Sequence, residues 1–315
     1  MQDQIARTVG ALFVSSDGRV LLGLRAPSKK VWPRHWDTIG GRVEDGESLD
    51  EALIREVQEE VGVTPTKFRR VASVRERWPE VYGQAHHHIY AVTEWKGGQP
   101  TNICNEHTEI RWFTIDEMLL LTSIVDCNYP RYSRLAIDPR PTIAETPRVR
   151  LRCWRNTDRD ALATMQEDPD VMRDRGGPFN RQQSDAKFDR YIAAFEQHGF
   201  TRWAIESLNG DFLGYAGIMP RPSDHPIGAH IDIGWRLVRS AWGYGYATEA
   251  SRAALFDAFE RCGLTEVLAY AAPENLRSQA VVQRLHLRRD PLRDFTVLDG
   301  TRLWRGLVWS AGAPL

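Results

Sequence analysis

Short hydrophobic runs surround one strongly amphipathic segment in the first part of the chain. Alternating apolar and polar positions predict strands over residues 5–14, 20–24 and 86–92. Helical periodicity predicts a helix over 48–61, with a capping box formed by Ser48 and Glu51 and a left-handed stop at Gly62. Another helix is expected to begin near Thr114.

The second part of the chain again alternates strand-like and helix-like segments. Its predicted strands are residues 149–154, 203–207, 212–218, 231–238 and 267–271. An apolar stripe predicts a helix from Ala247 to about Arg261. Residues 138–147 hold three prolines and have no periodicity, which indicates a linker. We therefore expect an α+β fold in each of two domains.

The predicted boundaries are a first domain at 1–138, a linker at 139–147 and a second domain at 148–315. The 11 Trp, 9 Tyr and 11 Phe allow both domains to bury a core, which excludes disorder. A net charge of −1 argues against binding to duplex nucleic acid. No apolar run is long enough for a membrane helix and the N-terminus lacks signal-peptide features, so a cytoplasmic protein is expected. The oligomeric state is left open.

Three glutamates of the first predicted helix lie on one face. Glu56, Glu59 and Glu60 are spaced i, i+3 and i+4, and like charges at this spacing repel. Either they spread into solvent or a divalent cation holds them, and their hard oxygen ligands suit Mg²⁺.

From Gly41 the sequence matches every fixed position of the Nudix box. The nine matched residues are Gly41, Glu47, Arg55, Glu56, Val57, Glu59, Glu60, Gly62 and Val63. The first domain therefore resembles the single-domain Nudix hydrolases. The resemblance implies an α/β/α sandwich that hydrolyses a nucleoside diphosphate linked to another group, with Mg²⁺ or Mn²⁺ as cofactor.

The same resemblance implies individual roles. Metal ligation falls to Glu56, Glu59 and Glu60 together with the carbonyl of Gly40, and Glu56 and Glu59 are also catalytic. Structural support falls to Gly41 and to Glu47 paired with Arg55. Outside the box, Glu106 is a candidate metal ligand or base, and Glu109 competes for that role. The base is left unassigned.

Residues beyond the box point to different nucleotide substrates. Pro79 lies sixteen residues after Val63, where many ADP-ribose hydrolases also have a proline. Tyr82 lies near the position at which dinucleoside polyphosphate hydrolases have a tyrosine. The short domain and its overall spacing favour the group that cleaves a (d)NTP to NMP and pyrophosphate. The run His86-His87-His88 lies in a predicted strand, where at most two could share a face, so partly exposed strand residues are expected rather than a metal site.

A glycine turn at 240–246 follows a strand and leads into a helix. Glycines let backbone N–H groups approach phosphate oxygens, and a helix N-terminus favours negative charge. With the segment 272–285, this turn resembles the GNAT acetyltransferases, particularly the branch that acetylates the N-termini of ribosomal proteins and similar amines. The resemblance implies a mixed-sheet domain that uses acetyl-CoA as co-substrate and acetylates a small-molecule or protein amine.

The GNAT resemblance implies where acetyl-CoA is held. Leu237 and Val238 would bind its pantetheine, and Asn275 and Ser278 would lie beside its thiol and take part in catalysis. Its pyrophosphate would lie against the backbone of Trp242, Gly243, Tyr244, Gly245, Tyr246 and Ala247.

Several positions depart from the family pattern. Ser240 replaces the usual basic or glutamine residue, Val282 replaces the usual tyrosine, and His286-Leu287 replaces the usual Gly-Phe. Ser278 is then the best remaining proton donor, and Asp232 is either a base acting through water or a surface strand residue. A domain that binds acetyl-CoA as a sensor without catalysis is the alternative.

Overall fold

The computed structural model describes residues 5–299 and 302–313, and the chain divides after Pro139 into two compact units. Both units combine helices with a sheet that contains parallel and antiparallel pairs, which confirms the α+β class. In the described part of the chain, no helix is both long and apolar enough to cross a membrane.

The first unit contains six strands and four helices among its described residues. Its elements are β1 (Ala6–Val14), β2 (Val20–Arg25), β3 (Trp36–Asp37), α1 (Leu49–Val61), β4 (Thr64–Arg75), α2 (Pro79–Tyr82), β5 (Ala85–Lys96), β6 (His107–Phe113), α3 (Ile115–Leu119) and α4 (Tyr129–Ile137). The sheet order is β3-β2-β1-β5-β4, and β6 pairs with the β2 strand. The strands β1 and β5 run parallel in the middle of this sheet. Residues of both strands and of α1 share one core.

That core explains why α1 has a fixed orientation. Ala52, Leu53 and Val57 are fully buried and pack with Phe13 and Ile39 of the sheet region. The helix begins and ends within one residue of the predicted bounds, because its signals are local.

The second unit is built on a nine-stranded sheet. Its elements are β7 (Thr142–Glu145), β8 (Val149–Arg152), α5 (Asp158–Glu167), α6 (Pro169–Met172), α7 (Arg181–His198), β9 (Arg202–Ser207), β10 (Phe212–Arg221), β11 (His230–Leu237), α8 (Tyr246–Glu260), β12 (Glu266–Ala271), α9 (Leu276–Arg284), β13 (Arg288–Arg289), β14 (Phe295–Asp299) and β15 (Arg302–Gly312). The sheet order is β13-β15-β12-β11-β10-β9-β8-β7, and β14 pairs with β15. A core that includes Trp154, Phe188 and Tyr191 packs α5 and α7 on it.

The linker prediction is wrong for Thr142–Glu145. These residues form the edge strand β7, which pairs antiparallel with β8 and buries Ile143. The prolines at 139, 141 and 147 flank this strand without entering it, and an edge strand tolerates that arrangement. The number of prolines indicated a linker, although a strand lies between them.

We expect a fragment of residues 140–315 to unfold at a higher urea concentration than a fragment of residues 148–315. The shorter fragment lacks β7 and the buried Ile143 side chain, whose burial contributes roughly 1.5–3 kcal/mol. Urea unfolding followed by circular dichroism measures the difference, with residues 1–139 as the companion fragment. Equal midpoints for 140–315 and 148–315 would show that β7 adds no stability. If neither 1–139 nor 140–315 folds, the two units share a core.

Candidate active sites

The helix α1 begins at Ser48, as the sequence predicts. The Ser48 hydroxyl accepts from the Glu51 N–H at 3.3 Å, and the Glu51 carboxylate accepts from the Ser48 N–H at 2.9 Å. Gly62 ends the helix with φ of 73°. Both ends are held by local hydrogen bonds, so the direction of every glutamate on this helix is defined.

Arg55 gathers three glutamates of the first unit. Its Nε and Nη2 donate to the two carboxylate oxygens of Glu47 at 2.9 and 3.0 Å. Its Nη1 donates to Glu56 Oε1 at 2.9 Å and to Glu59 Oε2 at 3.2 Å. The bidentate pair with Glu47 fixes the guanidinium plane and lets it neutralise part of the acidic face.

Glu60 is the most deeply buried member of this cluster. It is 3% exposed, and its Oε2 accepts from the Gly40 N–H at 2.8 Å and lies 3.1 Å from His107 Nε2. Within residues 5–299 and 302–313, its other oxygen, Oε1, has no hydrogen-bond partner. Burial raises the pKa of Glu60 and of Glu56, so both carboxylates favour a cation near them.

The two glycines before the helix permit a close approach between backbone and carboxylates. A side chain at Gly40, where φ is 147°, would meet the Val9 carbonyl at 2.3 Å. A Cβ on Gly41 would lie 2.6 Å from both carboxylate oxygens of Glu56. The structure thus places Glu47, Glu56 and Glu59 around Arg55 and places Glu60 against the backbone of Gly40.

Glu106 lies immediately before β6 and forms an ion pair with Lys29. Burial raises the pKa of Glu106, but the Lys29 ammonium outweighs that effect and the net shift is downward. The charge of Glu106 also raises the pKa of Glu60, which puts it beside the cluster. Glu109 is exposed on β6.

His107 is a member of this site that the sequence did not indicate. It is buried against Glu60, and Gly23 leaves the space that its ring occupies. The three consecutive histidines lie on β5 and are all half-buried. His87 bonds Thr8 at 2.8 Å and His88 bonds Ser73 at 2.9 Å, so they bind neighbouring strand residues separately.

In the second unit, the glycine turn opens the helix α8. Gly243 and Gly245 have φ of 85° and 83°, a conformation that favours glycine. Among the described residues, the N–H groups of Tyr246, Ala247 and Thr248 have no hydrogen-bond acceptor. These donors and the positive end of the helix dipole can bind an anion.

Arg148 supplies a positive charge at this turn that the sequence did not indicate. Its guanidinium donates to the Tyr244 carbonyl at 2.8 Å and would lie 3.6 Å from a Cβ on Gly245. It also pairs with Glu249 of α8. A basic group is therefore present beside the turn although Ser240 occupies the usual basic position.

The strands β11 and β12 diverge after a single paired position. In the described part of the chain, their register contains only Asp232 opposite Leu268. The residues that follow in the two strands, 233–236 and 270–271, line a cavity. The Val238 N–H donates to the Leu213 carbonyl at 3.0 Å. The binding of pantetheine by Leu237 and Val238 stays a prediction.

Asn275 and Ser278 share a cavity of about 540 Å³ in the second unit. The side-chain oxygen of Asn275 accepts from the Ser278 N–H at 3.1 Å at the start of α9, which fixes both residues at one wall. Asp232 lies on the same cavity. The structure therefore brings these three predicted residues together beside the gap between β11 and β12.

Neither interpretation of Asp232 agrees with its surroundings. It is 2% exposed, so it is not a surface strand residue. Its carboxylate pairs with Arg202 at 2.7 Å and with Arg221 at 2.9 Å. Although burial raises the pKa of Asp232, these cations lower it to about 2, too low for a base near neutral pH.

Replacing Asp232 by Asn is expected to destabilise the second unit by about 3–5 kcal/mol, because two buried guanidinium groups lose their counter-charge. Urea unfolding of the full chain measures this loss. Because the folded pKa of Asp232 is depressed, its contribution is complete above about pH 4 and is lost as the pH falls toward 2. Asp224→Asn, on an exposed position, is the control, and equal effects of the two substitutions would contradict the assignment.

Comparison with known proteins identifies both halves. A NUDIX domain matches residues 4–135, and an acetyltransferase (GNAT) domain matches residues 148–288. With the two sites described above, these matches define an enzyme that has a hydrolase domain and an acetyltransferase domain. The chain belongs to the Nudix family through its first unit and to the GNAT family through its second, as the sequence predicted.

Individual relatives cover parts of the chain. The uncharacterized protein YkkB of Bacillus subtilis is 31% identical over 142 residues, which span 44% of this chain and 81% of YkkB. The CTP pyrophosphohydrolase of Escherichia coli is 35% identical over 112 residues, 35% of this chain and 78% of that protein. The FsC-acetyl coenzyme A-N(2)-transacetylase of Aspergillus fumigatus is 29% identical over 155 residues, 47% of this chain and 65% of that protein.

Proposed function

We propose that the first unit hydrolyses a (d)NTP to NMP and pyrophosphate with Mg²⁺ or Mn²⁺, and that the second unit transfers an acetyl group from acetyl-CoA to an amine. The observation that carries the first activity is the buried Glu60 Oε1, which has no hydrogen-bond partner in the described chain and lies in a carboxylate cluster. Such an oxygen is suited to a hard cation.

The residues that would hold the cation are Glu56, Glu59, Glu60 and Gly40 through its carbonyl. A divalent cation there supplies charge neutralisation on phosphate oxygens and activation of water. The chain itself supplies positioning: Arg55 orients Glu47, Glu56 and Glu59, and His107 and the Gly40 N–H orient Glu60. Glu106, which pairs with Lys29 beside Glu60, remains the candidate metal ligand or base.

One observation supports a nucleoside triphosphate as the substrate, and a second supports a substrate that contains a nucleobase, whatever its phosphate chain. The relative from Escherichia coli is named a CTP pyrophosphohydrolase. In addition, the ring of Trp32 lies 5.3 Å from Trp78 and 5.2 Å from Tyr82, and the latter two are partly exposed aromatic rings of the kind that stack on nucleobases.

The test is a panel of nucleoside triphosphates, ADP-ribose and dinucleoside polyphosphates, incubated with the full chain and Mg²⁺ and assayed for pyrophosphate and phosphate. Pyrophosphate release from a triphosphate is expected. Cleavage confined to ADP-ribose or dinucleoside polyphosphates would reject the substrate class while retaining the hydrolase.

The observation that supports acetyl transfer is the set of unpaired N–H groups at the start of α8. They lie in the turn that the GNAT resemblance assigns to acetyl-CoA. The relative from Aspergillus fumigatus is named an acetyl coenzyme A transacetylase. Acetyl-CoA supplies the acetyl group as a thioester. In the proposed transfer, a neutral amine attacks its carbonyl carbon and the C–S bond breaks. The Ser278 hydroxyl gives a proton to the departing thiolate and regains one from the amine nitrogen.

A further inference from the structure

Basic side chains outnumber acidic ones on the wall of the cavity in the second unit. Six basic and two acidic residues line it, a formal charge of +4. They are Arg175, Lys187, Arg190, Arg202, Arg221 and Arg236, with Asp174 and Asp232. A concave surface of one charge sign concentrates ligands of the opposite sign.

Both acidic residues are already paired inside the protein. Asp232 pairs with Arg202 and Arg221, and Asp174 pairs with Arg236 at 2.8 Å. Neither carboxylate is therefore available to bind a second ammonium group of a ligand. An acceptor with several positive charges would meet uncompensated cations instead.

The remaining three cations have no acidic partner in the described part of the chain. Lys187 is half-buried on α7, with its Nζ 5.2 Å from the ring centre of Phe179 and 5.6 Å from that of Tyr215. Arg190 lies one turn further along the same helix, and Arg175 precedes the helix. Together these three residues form a positive wall.

The neighbouring charges also act on Lys187. Burial lowers the pKa of Lys187 to about 8, Tyr215 opposes this effect, and Arg175, Arg236 and Arg190 act in the same direction as burial. A bound anion would reverse that effect and stabilise the charged lysine. The cavity also contains Asn275 and Ser278, so the positive wall and the proposed site of acetyl transfer share one space.

We propose that the acetyl acceptor is an amine that also carries an anionic group, a carboxylate or a phosphate, and that Lys187 with Arg175 and Arg190 binds that group. This inference rests on the acetyl transfer proposed above and specifies its substrate class. The anion binds at the positive wall while the amine of the same molecule faces the thioester. Multiply cationic amines are excluded by the same charges.

The test measures thiol release from acetyl-CoA by the full chain with matched amines. Aspartate is compared with its diamide, and 2-aminoethyl phosphate with ethanolamine, while spermidine represents cationic amines. In at least one pair, kcat/KM is expected to be at least ~10-fold higher for the anionic member, as for a charge-assisted hydrogen bond. The pair that shows the preference identifies carboxylate or phosphate.

Substitutions then locate the anion site. Lys187→Gln should raise the KM of the anionic amine at least ~10-fold, because a charge-assisted contact is lost, and so reduce its preference over the neutral amine. The Kd of acetyl-CoA should stay unchanged. Lys187→Arg should keep the preference, and Arg181→Gln, on the same helix and outside the cavity, should change nothing. If Lys187→Gln does not fold, the exposed Arg190→Gln gives the same measurement.

Preference for the neutral or cationic amines would overturn the inference. If acetyl-CoA binds and no amine is acetylated, the proposed transfer fails, and calorimetry decides about the anion site separately. Inorganic phosphate is then titrated into the acetyl-CoA complex. Phosphate binding that Lys187→Gln abolishes supports the anion site, whereas wild-type protein that does not bind phosphate rejects it.

Discussion

Replacing Glu59 or Glu60 by Gln is expected to reduce nucleotide hydrolysis by at least ~10²-fold, comparable with the loss of a key electrostatic group. Each substitution keeps the shape of the side chain but removes one negative charge from the cluster on α1. For Glu60, the amide oxygen can still accept from the Gly40 N–H, so the helix should remain folded. Pyrophosphate release under saturating Mg²⁺ measures the effect.

A suitable control is Glu51→Gln on the same helix. Glutamine is compatible with the capping box, and Glu51 is exposed and caps the helix start. This variant should retain wild-type hydrolysis, and all three should unfold at similar temperatures. Near-wild-type turnover by Glu59→Gln or Glu60→Gln would show that the metal site lies elsewhere.

Gly245→Val is expected to weaken acetyl-CoA binding by at least ~10-fold, the cost of losing a hydrogen bond to a charged group. Gly245 is the residue directly before α8, and a Cβ at this position would lie 3.6 Å from Arg148 Nη2. It would also strain a backbone whose φ is 83°. Isothermal titration calorimetry of the full chain with acetyl-CoA measures the loss, and nucleotide hydrolysis should be unaffected.

The backbone strain is controlled by Gly210→Val. Gly210 also has a positive φ, 95°, and lies in the turn between β9 and β10 with open space around it. It should reproduce any general destabilisation without a loss of affinity. If wild-type protein gives no heat with acetyl-CoA at millimolar concentration, both the transferase and the sensor interpretations of this unit are wrong.

The acidic site was predictable because its information is local in the sequence. Ser48, Glu51 and Gly62 fix the helix ends through neighbouring backbone groups, and helix geometry then places Glu56, Glu59 and Glu60 on one face. His107 was not predictable by these means, since it reaches Glu60 only through the pairing of β6 with β2.

The second unit illustrates the limit of local patterns more strongly. Strand alternation places Asp232 on one face of β11, but it does not tell whether that face is covered. Its partners Arg202 and Arg221 lie 30 and 11 residues away in sequence, on other strands. The positive wall likewise depends on the packing of α7 on the sheet. No sequence motif predicted that packing.

The gap between β11 and β12 has a further consequence for the lifetime of the protein. If acetyl-CoA binds in this gap, as proposed, and binds the folded chain alone, it would raise the free energy of unfolding by about 2.7 kcal/mol at a concentration of 100 times Kd. Proteases act on unfolded chains, and a change of this size alters protein abundance several-fold. The amount of this protein in a cell would then follow the supply of its coenzyme, with no change in its synthesis.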